Sequence, residues 1–182
     1  GTRRGEAEQA FAAHGLHGRF LGLPDGRLGR VEGCGTRDLE RIVAKELRRT
    51  RPGLLLGPHE GDSHPDHAVV GRVLAALDLG QVACLHWLGA EPSGRPNFFV
   101  GVVEVYEAKR AWIRFHASQL PGPGGSRGHL PRGLDLLERA RAREERYGRA
   151  TGLGLAEPFL AKARPERVCS LLGGCLFTGE DV

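Results

Sequence analysis

Residues 51–67, RPGLLLGPHEGDSHPDH, decide how the rest of the chain is read. Leu54, Leu55 and Leu56 stand between Pro52 and the Gly57–Pro58 pair. A short, wholly apolar run between such breakers is the pattern of a strand buried on both faces of a sheet. The next residues, GDSHPDH at 61–67, hold two aspartates and two histidines. Pro65 suits the first position of a helix, because its missing N–H would have no partner there. Strand, polar loop and helix start follow in that order, so GDSHPDH falls at the carboxyl end of a strand, where ligands bind in α/β folds.

Two accounts fit the residues of this stretch. His64 and His67 are three apart and so share one side of a helical first turn. The positive end of the helix dipole favours neutral imidazole, the form that binds metal. Asp62 and Asp66 are near enough in sequence to receive one ring N–H each and fix the tautomer. The same residues also read as an ordinary helix start, capped by Asp62 or Ser63, with both histidines at the surface. A zinc site needs three or four ligands, and this stretch offers one or two. His59, His86 and His116 are further candidates by residue type, each isolated in the sequence.

Outward from this stretch, residues 3–14 (RRGEAEQAFAAH) are good helix formers stopped by Gly15. A loop with a Pro24-Asp25-Gly26 turn leads to TRDLERIVAKELRRTRPG, where Leu39, Ile42, Val43 and Leu47 have helical spacing, Thr36 is the expected N-cap and Pro52 the stop. PDHAVVGRVLAALDLG is the next helix, QVACLHWLG and NFFVGVVEV are strands, and residues 105–116 are helical again. Residues 120–133 form a Gly/Pro loop, and GLDLLERARAREERYG reads as a charged surface helix. Strands alternating with helices of about a dozen residues predict an α/β fold with a mostly parallel sheet. No internal repeat is visible.

Composition narrows the function classes. A chain of 182 residues with 40% hydrophobic content is long enough for one domain, taken as 1–182, and short for two. With 28 glycines and 11 prolines it stays under the roughly 25–30% that marks low-complexity chains. The net charge of +4 is spread out, and RARAREERYGR mixes both signs. Without a basic stripe interleaved with aromatics, no nucleic-acid partner is expected. No apolar run is long enough to span a bilayer and no signal-peptide pattern opens the chain, so a cytoplasmic protein is expected. Cys34, Cys84, Cys169 and Cys175 match neither CxxC nor zinc-finger spacing, and read as reduced, mostly buried thiols. The chain contains no methionine and begins directly in a helical pattern. It reads as a piece whose beginning is absent.

Together with its surroundings, GDSHPDH resembles the PIG-L/LmbE family of zinc-dependent N-acetyl-sugar deacetylases. RRGEAEQAFAAHGL is similar to the family's Arg-x-x-Glu helix, FLGLPDGRL to its Pro-Asp-Gly-x-Leu loop, and RPGLLLGPHEGDSHPDH to its strand ending in Asp-x-His-Pro-Asp-His. KRAWIRFHASQ resembles the Lys-x-x-Ala…His-x-Ser-Gln helix, and GLAEPF the C-terminal Ala-Glu-Pro-Phe. The resemblance implies a Rossmann-like three-layer sandwich, hydrolysis of the acetyl group from an N-acetylglucosamine-type conjugate by a zinc-bound water, and one zinc ion. It assigns the zinc-ligand role to His67. To His64 it gives stabilisation of the oxyanion and protonation of the leaving amine, and Asp66 would orient a histidine. Arg3 and Asp25 match positions that contact the sugar, while Asp62, His116 and Gln119 would support the site from behind. Lys109, Ser118 and Glu157 match motif positions without an assigned role. The implied partner is a small sugar conjugate; homo-oligomerisation is compatible with the sequence.

One departure is large. The family's N-terminal strand, ending in a His-Pro-Asp-Asp-like stretch, supplies two more zinc ligands and the aspartate general base, and this sequence has no such stretch. Without that strand, the apolar run at 54–56 should lack a neighbour and expose apolar surface, and the piece alone should be inactive. The alternative is a catalytically inactive, truncated homologue serving as a binding or assembly module.

Overall fold

The computed structural model describes residues 2–30, 34–88, 94–120, 136–163, 168–170 and 175–177. Helix α1, Thr2–Ala13, stops before Gly15, whose φ of +64° ends the helical path. Helix α2 is Thr36–Thr50. Its cap residue is Gly35, whose carbonyl takes the Leu39 N–H, so Thr36 is the first helical residue and not the expected cap. At its end, Arg51 adopts a left-handed conformation and returns its N–H to the Leu47 carbonyl, with Pro52 barring continuation.

Strand β1, Leu54–Pro58, leads through the 59–64 loop into α3, Pro65–Ala76, with Pro65 at the start as expected. The remaining described elements are β2 (Ala83–Trp87), β3 (Phe98–Gly101), α4 (Tyr106–Arg114), a 3₁₀ turn (Ala117–Gln119), α5 (Leu136–Thr151), β4 (Ala156–Ala163) and β5 (Cys175–Phe177). The loop expected at 120–133 lies outside the described residues from 121 onward.

The five strands run in the order β1-β2-β4-β3-β5. Only β1 and β2, joined by the α3 crossover, pair in parallel, while β2–β4, β3–β4 and β3–β5 are antiparallel. The described sheet is therefore mixed and mostly antiparallel, which corrects the expected mostly parallel Rossmann-like arrangement. The physical reason is β4. Two helices, α4 and α5, separate it from β3, and it re-enters the sheet where β3 leaves, with Ala156 opposite Gly101. It then runs back between β2 and β3.

Among the described residues β1 is an edge strand, paired to β2 alone, and Leu56 on it is 58% exposed. The run expected to be buried on both faces is only partly covered, and the run expected to lack a neighbour has one in β2. Ala83, Leu85, Phe98, Phe159 and Val168 form one core cluster. Phe99 and Ala156 pack with Tyr147 of α5 in another. Cys34, Leu39, Val69 and Val73 join α2 to α3, and Leu23 and Leu28 of the turn-bearing loop pack against them. Of the thiols with described side chains, Cys34 and Cys84 are buried and Cys169 is half-buried, all three free.

Helix α3 lies hard against the end of β1. A Cβ on Gly71 would sit 2.4 Å from the His59 carbonyl carbon and 2.5 Å from the Glu60 nitrogen, both backbone atoms that cannot rotate away. The glycine is there because the backbones touch. Helix α5 departs from the expected charged surface helix, since Ala140, Glu144 and Tyr147 are all buried. Glu144 is tolerated inside because Lys109 of α4 bonds both it and Glu157 of β4. Leaving a buried partner of such a cluster unpaired costs on the order of 3–5 kcal/mol.

Helix α1 is tied down at a distance. Glu6 accepts the Ser118 backbone N–H and hydroxyl, each at 2.7 Å, and Phe11 and His14 meet Trp112 of α4 at ring distances of 5.9 and 4.9 Å.

This packing sets two expected outcomes. Gly71→Ala is expected to destabilise the fold by about 1–3 kcal/mol through overpacking, whereas Gly5→Ala, with nothing within 4 Å of the added methyl, should stabilise by about 0.5–1 kcal/mol; urea denaturation of both variants measures the opposite signs. The Ser118 hydroxyl and N–H hold the Glu6 carboxyl below its ordinary value. A depressed carboxylate stabilises fully above its unfolded value of about 4.3 and loses that contribution as pH falls through the folded one. Ser118→Ala should move the Glu6 titration back up, as read by carbon-13 NMR of its carboxyl.

Candidate active site

The site forms where β1 hands the chain to α3. His64 occupies the cap position of α3 in extended conformation, and Pro65 fixes the first helical residue. His67 then falls one turn on, and the two imidazoles stand side by side with ring centres 4.5 Å apart and planes at 34°. The three-residue spacing read from the sequence does bring them together. Beneath them, Asp62 accepts the His64 backbone N–H at 2.8 Å on one oxygen. Its other oxygen lies 3.3 Å from His67 Nδ1. A carboxylate only accepts, so Nδ1 carries a proton, and in the neutral ring the lone pair is on Nε2. His67 is half exposed, while Asp62 is nearly covered.

The two aspartates divide their work differently from the expectation of one ring N–H each. Asp62 serves an imidazole. Asp66, 8% exposed, accepts the Gly26 N–H at 2.6 Å on Oδ2 and the Leu28 N–H at 3.2 Å on Oδ1. In this geometry it is Asp62 that lies beside an imidazole, while Asp66 holds backbone from the loop that carries Asp25. An acidic side chain in the first turn of α3 also meets the positive end of its dipole.

Arg3 and Asp25 are brought together although 22 residues apart: Arg3 Nη1 lies 3.4 Å from Asp25 Oδ2, and both side chains are largely exposed. Of the other expected supports, Gln119 donates to the Ser118 hydroxyl at 3.1 Å, and His116 lies close enough for its charge to act on Glu6. Their described contacts fasten α1, not the imidazole pair.

The remaining histidines by type are placed elsewhere. His86 is fully buried on β2, its Nδ1 2.9 Å from the Pro58 carbonyl and its Nε2 3.5 Å from Cys84 Sγ. Burial pushes its pKa down, and pushes the Cys84 thiol up to about 11, so the thiol stays protonated. His59 is buried too, and its Nδ1 accepts the Gly61 N–H at 3.1 Å. Residues the sequence left without roles prove to be frame contacts: Ser118 with Glu6, and Lys109 with Glu157 and Glu144. Only Glu144 gave no motif signal, although Ala140, Glu144 and Tyr147 follow helical spacing once a buried carboxylate is admitted.

Among the described residues no group of three or more His, Cys, Asp or Glu side chains is arranged to hold a metal ion. The carboxylate–imidazole pair of Asp62 and His67 fits one corner of a zinc site, which requires at least three protein ligands. No described helix is long and apolar enough to cross a membrane.

Comparisons with known proteins place the same frame. Residues 1–77 match the family described as PIG-L, GlcNAc-PI de-N-acetylase. The chain is 28% identical over 109 residues to the diacetylchitobiose deacetylase of Thermococcus kodakarensis, a match covering 47% of this chain and 39% of that enzyme. The chain thus matches about two fifths of the curated relative's length. Among solved structures, the conserved protein TT1542 from Thermus thermophilus superposes with a TM-score of 0.66 at 26% identity, over 89% of this chain and 73% of that one. The N,N′-diacetylchitobiose deacetylase from Pyrococcus horikoshii does so with a TM-score of 0.67 at 21% identity, over 88% and 62%, a likeness of fold alone. The family match falls on the helix, turn and histidine stretch that build the site, and over residues 1–77 the chain is similar to that family.

Proposed function

We propose that this chain carries part of the active site of a zinc-dependent deacetylase that hydrolyses the acetamide of N-acetylglucosamine-type sugar conjugates. The observation that carries the reading is the imidazole pair at the end of β1, His64 beside His67, with Asp62 fixing the tautomer of His67. The relative named as a diacetylchitobiose deacetylase supports the substrate class.

His67 would hold zinc through Nε2, the ring nitrogen left with a lone pair. When bound, zinc polarises the acetamide carbonyl and acidifies a water to a pKa of about 7. His64 would donate a hydrogen bond to the oxygen on which charge develops and pass a proton to the departing amine. Arg3 and Asp25, exposed and paired, offer a donor and an acceptor for sugar hydroxyls. The further ligands and the general base would come from polypeptide beyond the described residues.

The non-catalytic alternative draws on a different observation, the exposed Leu56 at the edge of the sheet, which suits assembly. It requires that neither zinc nor acetate release be found in the native gene product containing this chain. For the deacetylase, His67→Ala should abolish bound zinc, measured by elemental analysis. His64→Ala should retain zinc while losing about 10²–10³ in kcat, the cost of one oxyanion donor, measured as acetate released from N,N′-diacetylchitobiose. Metal and rate both intact in both variants would reject the assignment.

A further inference from the structure

We propose that Asp66 is a positioning residue for substrate binding, setting the 24–28 turn so that Asp25, and with it Arg3, faces the sugar; the inference rests on the deacetylase reading above. Two carboxylate oxygens meet two backbone donors on a segment about forty residues earlier, Gly26 N–H at 2.6 Å and Leu28 N–H at 3.2 Å. Both donors follow Asp25, Gly26 within the turn that presents it and Leu28 at the end of that turn. Gly26 has a φ of +71°, a conformation that leaves its N–H directed by the turn and not by a strand or helix. Leu23 and Leu28 anchor the two ends of the turn in the α2–α3 core, and an isolated bridge joins Leu28 to Cys34.

The leucines and the bridge hold the ends of the turn; the other polar contact at Asp25 itself, with Arg3, is weak. Both side chains are exposed, 65% and 80%, at 3.4 Å, a class of contact worth about 0–1 kcal/mol. Charge-assisted bonds to a covered carboxylate are roughly twice as strong as neutral ones, so the geometry of Asp25 is imposed from Asp66. Since Asp66 lies between Pro65 and His67, one rigid helix start carries both the imidazole that would act on the acetamide and the clamp for the loop that would hold the sugar. The clamp can be loosened while the imidazoles stay in place.

Asp66→Asn supplies one acceptor where two are needed, and its amide group opposes the remaining N–H. In the native gene product containing this chain, the variant should raise KM for N,N′-diacetylchitobiose about tenfold with kcat within about threefold, the signature of lost ground-state binding. Zinc content should be unchanged, and hydrogen exchange at the Gly26 and Leu28 amides faster. In an Asp25→Ala background the same substitution should add less than about twofold to KM, because a residue acting through Asp25 has nothing left to position. A fall in kcat with KM unchanged would overturn the proposal in favour of a role on the imidazoles. So would an equal rise in KM without Asp25. If Asp66→Asn does not fold, wild-type exchange decides: both amides should be protected without sugar, and exchange at the unstructured rate would overturn the clamp. These exchange measurements do not depend on turnover, so an inactive wild type sinks the deacetylase reading while leaving the clamp to its own result.

Discussion

The seat of α3 on β1 governs the geometry of the site. Two glycines allow it: a Cβ on Gly71 would collide with the backbone of His59 and Glu60, and one on Gly57 would fall 2.1 Å from Leu74. With the helix this close, its first turn has one place to go, above the carboxyl end of the strand. His64 and His67 then meet because they are one turn apart on a helix start that Pro65 has fixed. Strand and helix packing, a matter of apolar contact and missing side chains, thus sets the distance between two polar groups.

Around that seat, the acidic and basic side chains are occupied with structure more than their motif positions suggest. Asp66 spends both oxygens on backbone N–H groups, Glu6 spends both on Ser118, and Lys109 is enclosed by two carboxylates. Each is a charge taken partly from water and compensated by a specific partner, as buried ionic groups must be. The site residues that remain exposed are His64, His67, Arg3 and Asp25. This separation between frame and accessible groups explains why so much of the motif lies away from the imidazole pair. The frame joins α1, the 24–28 turn, α3, α4, α5 and β4, so that elements far apart in the chain hold one another in register.

Much of the local architecture is legible in the sequence. Proline and glycine punctuation places α1, α2 and the start of α3 to within a residue or two, although α3 ends at Ala76, four residues short of the segment read as helical, and the leucine run at 54–56 is indeed a strand. Strand β4 escapes a sequence reading, because AEPFLAKA carries Pro158, Glu157 and Lys162, and a proline argues against an interior strand. Yet Pro158 sits opposite Phe99, fully buried, in a strand flanked on both sides. That single insertion changes the sheet from mostly parallel to mostly antiparallel. Helix α5 misleads for a related reason, since a sequence of arginines and glutamates gives no sign that Glu144 faces inward to Lys109.

By itself the sequence determined which segments are helices and strands near the site, that GDSHPDH would sit at a strand's carboxyl end, and that its histidines would share a helix face. These are consequences of periodicity, breakers and caps, which act over a few residues. The tertiary structure alone decided which aspartate serves an imidazole and which clamps a turn, where β4 inserts, and what Ser118, Lys109 and Glu6 do. Asp62 and His67 aside, which are five residues apart, the partners involved lie 35 to 112 residues apart, and a side chain's hydrogen-bond partner at such separations is chosen by how the elements pack, which no local pattern records.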